Sequence, residues 1–536
     1  MKVLGFSVGH DKGAVIIEDG IVKVGITQER LSRIKHDGAY SGGKVPFESI
    51  NYCLNALGLT IKEIDLFVYS TTEIIDDISQ QFSSKYSHVN LEKLFFVPHH
   101  LAHAYSTFLS SGFDEAAVVV ADASGSIISY KNKTHDWYDP KKWNLDNIND
   151  WTEGVSIYHF KKDWYDEIYK KWIKYPVPWN TNEEVSLGTV YSEGTLQLVY
   201  EPSNHTWSAG KLMGLASYAD PHLVAEAGEY VKELDNDISI PNNTIYPKVS
   251  WKSDFYSRAV VAGIYQREQE RASLILAKIA KNMTELNNIC VAGGSFLNCN
   301  SNEMILKSEL YENCFFLPPS DDSGIPLGCA WYGLQKLIEI KETSRISPDF
   351  GRSYHRNEII TALNEYPQYT FIEYDSFDSL VESVSFWLTQ NRVIGWFQDG
   401  SEIGPRALGN RSILASPIQK WMTGHINGDI KGREWYRPFA PAVLFEHQKE
   451  IFESEVFSPY MLVTTTVRED WRDKIPAVVH IDNTARHQSV TEETNPKFYN
   501  LIKKFHEKTG VPVLLNTRDR KSTRLNSSHE WISRMP

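Results

Sequence analysis

Two stretches of this chain are built alike, and that repetition limits the available folds more than any other feature. Residues 2–8 alternate like a strand, Gly9-His10-Asp11-Lys12-Gly13 turns, residues 14–18 return, and Asp19-Gly20 is a hairpin signal before residues 21–26. Much later, the apolar run 116–121 reads as a buried strand, and Asp122-Ala123-Ser124-Gly125-Ser126 turns into the strand-like Ile127-Ile128-Ser129-Tyr130. A strand, a polar turn and a second strand thus occur twice, as in a duplicated α/β unit. Turns of Gly, Ser and Asp let backbone N–H groups approach phosphate oxygens, which makes Ser124 and Gly125 candidate nucleotide contacts.

A metal-ligand pattern lies beside the second turn. In Val97-Pro98-His99-His100-Leu101-Ala102-His103 the proline suits a helix start, and four-residue spacing puts His99 and His103 on one face, with His100 pointing elsewhere. Asp122 stands at the carboxyl end of run 116–121, and Asp322 sits in Pro318-Pro319-Ser320-Asp321-Asp322-Ser323-Gly324. Two imidazoles and two carboxylates suit Fe(II), Mn(II) or Zn(II) better than Ca(II) or Mg(II); a polar helix face or a satisfied core pair is the plainer reading. Further on, Asn288-Ile289-Cys290-Val291-Ala292-Gly293-Gly294 runs a strand into two glycines, preceded by a helical pattern over about 272–286. Such a junction admits a nucleotide at Gly293 and Gly294, although Gly-Gly also marks ordinary turns. Ser208-Ala209-Gly210-Lys211-Leu212 lacks the Walker spacing but leaves Lys211 as a phosphate contact.

At 536 residues the chain exceeds one typical core, so two domains are expected. A net charge of −13 disfavours broad binding to nucleic acid or to an anionic membrane, while allowing a local basic pocket. Five cysteines without a Cys-x-x-Cys pair propose neither a disulfide framework nor a zinc knuckle. The amino-terminal residues enter strand-like sequence without a leader pattern, and no apolar run approaches the ~20 residues that span a bilayer. The expectation is a soluble cytoplasmic protein.

Residues 131–180 hold Trp137, Trp143, Trp151, Trp164, Trp172 and Trp179, read as an inserted lobe with a sugar-stacking acceptor surface as one use for it. A domain boundary is expected in the polar stretch 345–358, which carries Pro348 and Gly351. Beyond it Val393-Ile394-Gly395-Trp396-Phe397 is a strand candidate, followed by Gly404-Pro405-Arg406-Ala407-Leu408-Gly409-Asn410-Arg411. Lys431, Arg433, Arg437 and Arg486 come next. Surface salt bridges explain any one of these cations, but their gathering in an acidic protein fits a pocket for phosphate-bearing substrates.

Together these segments resemble the ATP-dependent O-carbamoyltransferases of the nodulation-protein-U and tobramycin-carbamoyltransferase family. The motifs are Gly9-His10-Asp11, Glu29-Arg30 with Lys35-His36-Asp37, His99-His100-Leu101-Ala102-His103-Ala104, Val291-Ala292-Gly293-Gly294, Gly404-Pro405-Arg406-Ala407-Leu408-Gly409 and Arg437-Pro438-Phe439-Ala440-Pro441. The resemblance implies an actin-like (ASKHA) duplicated ATPase-type domain over 1–345, with the Trp-rich insertion near 131–180, and a YrdC-like α/β domain over 356–517. It implies that the second domain converts carbamoyl phosphate and ATP, with Mg(II), into carbamoyl-adenylate, and that the first transfers the carbamoyl group to a hydroxyl of a small natural product or sugar-containing acceptor. Arg406, Arg411, Lys431, Arg437 and Arg486 would neutralise phosphates and Asn516 would orient the carbamoyl group. His99, His103, Asp122 and Asp322 would hold the metal, Fe(II) by resemblance. Asp11, beside His10, would orient or deprotonate the acceptor hydroxyl, its plainer role being to cap the turn.

The chain departs from the family after Thr517. The family reads Asn-Thr-Ser-Phe-Asn there, whereas this chain reads Asn516-Thr517-Arg518-Asp519, and residues 518–536 look like a non-native tail. Arg518 stands at the family's serine, so impaired adenylate formation is expected. Other readings are an actin-like kinase, a threonylcarbamoyl transferase or a non-catalytic nucleotide-binding module, and a homodimer is the default assembly.

Overall fold

The alternation over the first residues becomes an antiparallel meander of β1 (Lys2–Val8), β2 (Gly13–Glu18) and β3 (Ile21–Thr27). On the other side of β1, β4 (Leu66–Thr71) and β5 (Leu94–Phe96) add in parallel, giving the order β3-β2-β1-β4-β5. The computed structural model describes residues 1–34, 36, 43–72, 78–128, 150–175, 183–199, 209–241, 248–340 and 345–518. Two compact units divide between Ile346 and Ser347.

The second sheet of the first unit repeats the pairing of the first. Its central strand is β6 (Glu115–Ala121), continued after the Asp122 turn by the short β7 (Ile127–Ile128). The return is made by β8 (Asp150–Lys161), antiparallel to β6, and β9 (Trp164–Tyr175) lies antiparallel on the far edge of β8. A small hairpin of β10 (Lys232–Leu234) and β11 (Asp237–Ser239) intervenes; β12 (Asn288–Ala292) and β13 (Asn313–Phe316) then add in parallel beyond β6. Each sheet therefore has its first strand in the middle, an antiparallel meander on one side and two parallel strands on the other.

Two expectations are corrected here. Among the described residues the strand after the Asp122 turn is Ile127–Ile128, and the return along the whole of β6 is made by the longer β8. Trp151, Trp164 and Trp172 lie on β8 and β9, so residues 150–175 are part of the sheet rather than an inserted lobe. Trp137, Trp143 and Trp179 lie outside the described residues, as do Lys35, Asp37 and 519–536. The helix before β12 also starts earlier than its periodicity implied, running Phe255–Thr284 with the Asp254 side chain capping Ser257 N.

Parallel strands point their carboxyl ends to one edge, and open α/β sheets bind ligands there. At those ends stand His10 after β1 and His99 after β5 in one sheet, with Asp122 after β6, Gly293 after β12 and Asp322 beyond β13 in the other. The helix Ile325–Leu337, which follows Asp322, packs on both β1 and the helix His99–Phe108. Glycines permit this: a Cβ on Gly5 would lie 2.1 Å from the Pro326 carbonyl oxygen, and one on Gly328 would lie 1.8 Å from the Ala102 carbonyl oxygen. Ala102 sits between His99 and His103, so that contact sets Asp322 against the histidines.

The second unit holds β14 (Ile394–Phe397), β15 (Arg411–Ala415), β16 (Ala440–Leu444), a pair β17 (Thr465–Thr466) and β18 (Thr484–Ala485), β19 (Gln488–Val490) and β20 (Val513–Arg518). The main sheet runs β14-β15-β20-β16-β19, with only β16 and β19 parallel. The helix Pro496–Thr509 buries Phe498, Leu501, Ile502 and Phe505 against it, begun by the Asn495 cap on Phe498 N and ended by Gly510 at φ +73°. Both units are thus mixed α/β. Among the described residues no helix is long and apolar enough to cross a membrane.

Candidate functional site

Four side chains from three separate segments converge in the first unit. His103 Nε2 lies 3.3 Å from Asp122 Oδ2 and 3.5 Å from Asp322 Oδ1. His99 Nε2 lies 3.8 Å and 3.4 Å from the same two oxygens. Among the described residues, His99 Nε2, both ring nitrogens of His103 and Asp122 Oδ2 are buried without a hydrogen-bond partner. Burying such atoms unpartnered is costly, so their convergence needs a reason. Ligand atoms ~2.1 Å from one tetrahedral ion stand ~3.4 Å apart, close to the separations found here. The two-His, two-Asp set therefore fits a divalent transition metal both in spacing and in donor chemistry. Gly294 leaves room beside it, since a Cβ there would come within 3.1 Å of Asp122 Oδ1.

The cluster is charge-balanced. Burial opposes a charge on His99, but Asp322 and Asp122 outweigh it and push its pKa up to about 10; His103 moves the same way. Burial would likewise raise the Asp122 carboxyl, yet the contacts from His103 and His99 hold it below the usual carboxylate range, and His99 and His10 do so for Asp322. His100 faces away, its Nδ1 2.9 Å from Ser156 Oγ, and burial pushes it down to about 3.

A second string of groups runs from this cluster to the first turn. His10 Nε2 is 3.4 Å from Asp322 Oδ2, and His10 Nδ1 is 3.2 Å from Asp11 Oδ2. Asp11, held at φ +50°, also meets His36 Nδ1 at 2.6 Å. Despite burial, Asp322 and Asp11 push His10 up to about 9, while His10 and His36 hold Asp11 below the carboxylate range. Two equivalent turns, one from each half of the repeat, thus supply neighbouring groups of one site. Glu29 joins Asp11 and His36 in the same cluster.

The candidate nucleotide contacts fare unequally. The amides of Gly125 and Ser126 donate to the Glu153 carbonyl (2.8 Å) and carboxylate (2.9 Å), and Ser124 Oγ meets Thr152 Oγ1 at 2.7 Å. These groups of the turn bond to β8. The Gly293 amide similarly donates to the Ser320 carbonyl, 2.8 Å away; the residue adopts φ +96° where a Cβ would strike the Ala121 carbonyl. Lys211 lies in the short helix Ala209–Ala216.

The second unit gathers cations. The Glu402 carboxylate accepts from the amides of Leu408 (2.9 Å), Asn410 (3.0 Å) and Arg411 (3.1 Å), shaping the loop that carries Arg406. Asn516 Nδ2 donates to the Ala407 carbonyl at 3.1 Å and to Gln488 Oε1 at 3.1 Å, and its Oδ1 is buried without a partner. Lys431 Nζ reaches Thr517 Oγ1 at 3.2 Å and the Arg518 carbonyl. Arg433, whose pKa burial together with Arg437 and Arg486 pushes down to about 9, completes the crowd. Arg437 has Glu434 at 3.8 Å. Arg411 is different: its guanidinium donates to the carbonyls of Gln398 (2.6 Å), Asn410 (2.8 Å) and Asp399 (2.9 Å) and stacks 3.4 Å from the Phe397 ring centre. These three bonds hold the loop. Glu402 is an addition that the sequence signalled only by its place beside Gly404.

Comparison with known proteins decides the family. The model for the carbamoyltransferase N-terminus matches residues 2–90 and 78–331, and that for the carbamoyltransferase C-terminus matches residues 386–524. The chain belongs to the carbamoyltransferase family. It is accordingly an enzyme of that family. The nodulation protein NolNO of Sinorhizobium fredii is 30% identical over 95% of this chain and 74% of its own length. The 3'-hydroxymethylcephem-O-carbamoyltransferase of Amycolatopsis lactamdurans is 32% identical over 58% of each chain. Among solved structures, full-length HypF in its phosphate- and nucleotide-bound form aligns with 63% of this chain and 47% of its own at a TM-score of 0.38 and 12% identity. In this carbamoyltransferase, the His–Asp cluster lies within the N-terminal family match, and Arg406, Lys431, Arg437, Arg486 and Asn516 lie within the C-terminal one.

Proposed function

We propose that this carbamoyltransferase is an ATP-dependent O-carbamoyltransferase of a small hydroxyl-bearing acceptor. Its second unit, YrdC-like in this reading, takes carbamoyl phosphate, ATP and a water to carbamoyl-adenylate, phosphate and pyrophosphate. Its first unit, actin-like by the repeated β3-β2-β1-β4-β5 pairing, lets the acceptor oxygen attack the carbamoyl carbon as AMP leaves with the bonding electrons. The observation that carries the reading is the string His36, Asp11, His10, Asp322, His99 and His103, which brings an acceptor-orienting pair beside a charge-balanced metal cradle.

Each group has a role that its surroundings favour. Arg406, Lys431, Arg437 and Arg486, with Arg433 added, neutralise phosphate oxygens that would otherwise repel one another. Asn516 presents its partnerless carbonyl oxygen to the carbamoyl N–H₂. Asp11, kept ionised by two imidazoles, accepts a hydrogen bond from the acceptor hydroxyl and orients it, and the hydroxyl proton passes by way of the Asp11–His10 pair to solvent as the new carbon–oxygen bond forms. A divalent ion held by His99, His103, Asp122 and Asp322 would supply a Lewis acid for oxygen atoms gaining negative charge. Lys211, Gly293 and Gly294 are the nucleotide contacts of the first unit in this reading. Arg518, buried on β20 two residues from Asn516, adds a cation at the carbamoyl end of the pocket and lowers the rate of adenylate formation.

The test is pyrophosphate release from ATP with and without carbamoyl phosphate, on this chain and on Arg518→Ser. Release only with carbamoyl phosphate, faster in the variant, supports the reading. Release that ignores carbamoyl phosphate, or none from either protein, would overturn it.

A further inference from the structure

The helix carrying His99 and His103 starts without a local cap. Pro98 occupies the cap position and supplies no side-chain acceptor, although the first N–H groups of a helix need partners. Those partners come from far along the chain. His99 N donates to Ser126 Oγ at 2.8 Å, and His100 N donates to Glu153 Oε2 at 3.2 Å. The same Glu153 oxygen accepts from Ser126 N at 2.9 Å. One carboxylate oxygen therefore ties the start of the histidine helix to the turn that follows Asp122, and these two segments supply three of the four proposed metal ligands.

A wholly buried carboxylate needs an opposite charge. Lys170 on β9 provides it, with Nζ 2.7 Å from Glu153 Oε1 and a further contact to Glu167. The fit is tight, since a Cβ on Gly125 would fall 2.7 Å from both Glu153 Oε2 and the His100 ring. The negative charge also lies at the positive end of the helix, where it is stabilised.

We propose that Glu153, neutralised by Lys170 and extended by Ser126, is the positioning residue that holds His99 and His103 in register with Asp122 for a divalent metal. The inference rests on the metal reading of the cluster. Partners behind metal ligands typically contribute 10- to 100-fold in affinity, about what is expected here.

The experiment measures Mn(II) affinity by electron paramagnetic resonance and calorimetry, alongside the melting temperature, for the full chain and for Glu153→Gln, Ser126→Ala and Glu153→Gln/Lys170→Met. Glu153→Gln keeps the shape and removes the charge; the double variant leaves no lone buried ammonium, and Ser126→Ala leaves the ion pair untouched. The expected result is Mn(II) binding weakened about 10-fold or more in every variant that folds, with an altered Mn(II) spectrum. Folded variants that bind Mn(II) as the parent does, whatever their melting temperature, overturn this inference alone. A parent chain that takes up no Mn(II) overturns the metal reading together with it.

Discussion

The two units solve opposite electrostatic problems. In the first, two imidazoles and two carboxylates face each other with separations of 3.3 to 3.8 Å, so each sign of charge finds its complement inside the protein. In the second, Arg433, Arg437 and Arg486 crowd together with Glu434 as the nearby carboxylate, and burial with the two neighbouring guanidiniums drives Arg433 down to about 9. Lone pairs converging on a point describe a cradle for a cation, whereas crowded N–H donors describe one for an anion. Sites of one enzyme are thereby told apart by the sign of the ligand that each donor set suits.

The sharpest way to break this contrast is to damage each cluster and follow two reactions. His103→Ala is expected to weaken divalent-metal binding by more than about a hundredfold and to stop carbamoyl transfer, while carbamoyl-phosphate-dependent pyrophosphate release continues. Loss of both reactions together would end the assignment of separate chemistries. Arg486→Met should do the reverse, lowering pyrophosphate release roughly 10- to 100-fold and sparing metal affinity, as one charge-assisted contact implies.

Buried histidines sharpen the comparison through pH. His487 in the second unit is fully buried and stacked 5.0 Å from Phe452, and burial pushes it down from 6.5 to about 4, whereas the first unit's His99 is pushed up. Because the unfolded chain takes up this proton first as pH falls, His487 contributes stability that is present above pH 6.5 and drains away between 6.5 and about 4. The loss is on the order of 2 kcal/mol near pH 5. Denaturant unfolding of the second unit's transition should show that slope, and His487→Phe should flatten it. An unchanged slope would place the acid sensitivity elsewhere.

The smallest effect separates the two kinds of arginine. Arg411→Met should cost about 1 kcal/mol of stability for each carbonyl contact it abandons, read as a lower melting temperature, before any change in phosphate affinity. An affinity loss without destabilisation would return Arg411 to the anion pocket.

Much of this contrast was legible in residue order. The meander over 2–27, the strand before Asp122, the His99 and His103 spacing and the gathering of cations after Gly404 all follow from periodicity and from residue chemistry. What residue order left out has a common cause. Ser124 and Gly125 have the composition of a phosphate turn, but β8 arrives from residues 150–161 and takes the amides of Gly125 and Ser126. Arg411 has the neighbours of a phosphate ligand, but strand pairing turns its guanidinium toward the carbonyls of 398, 399 and 410. The Trp-rich stretch looked like an insertion because two strands of twelve residues each, with bulges, carry irregular alternation.

By itself the sequence determined the elements and the chemical types at their ends, because strand and helix periods are local properties of neighbouring residues. Only the tertiary structure decided which ends meet. Asp122 and Asp322 stand far apart in the chain and are brought to His99 and His103 by parallel pairing of β6, β12 and β13 and by the bare backbone of Gly328 against Ala102. Likewise Glu153 and Ser126 cap a helix to which neither belongs. Such contacts depend on register and close approach between distant segments, which no local pattern encodes.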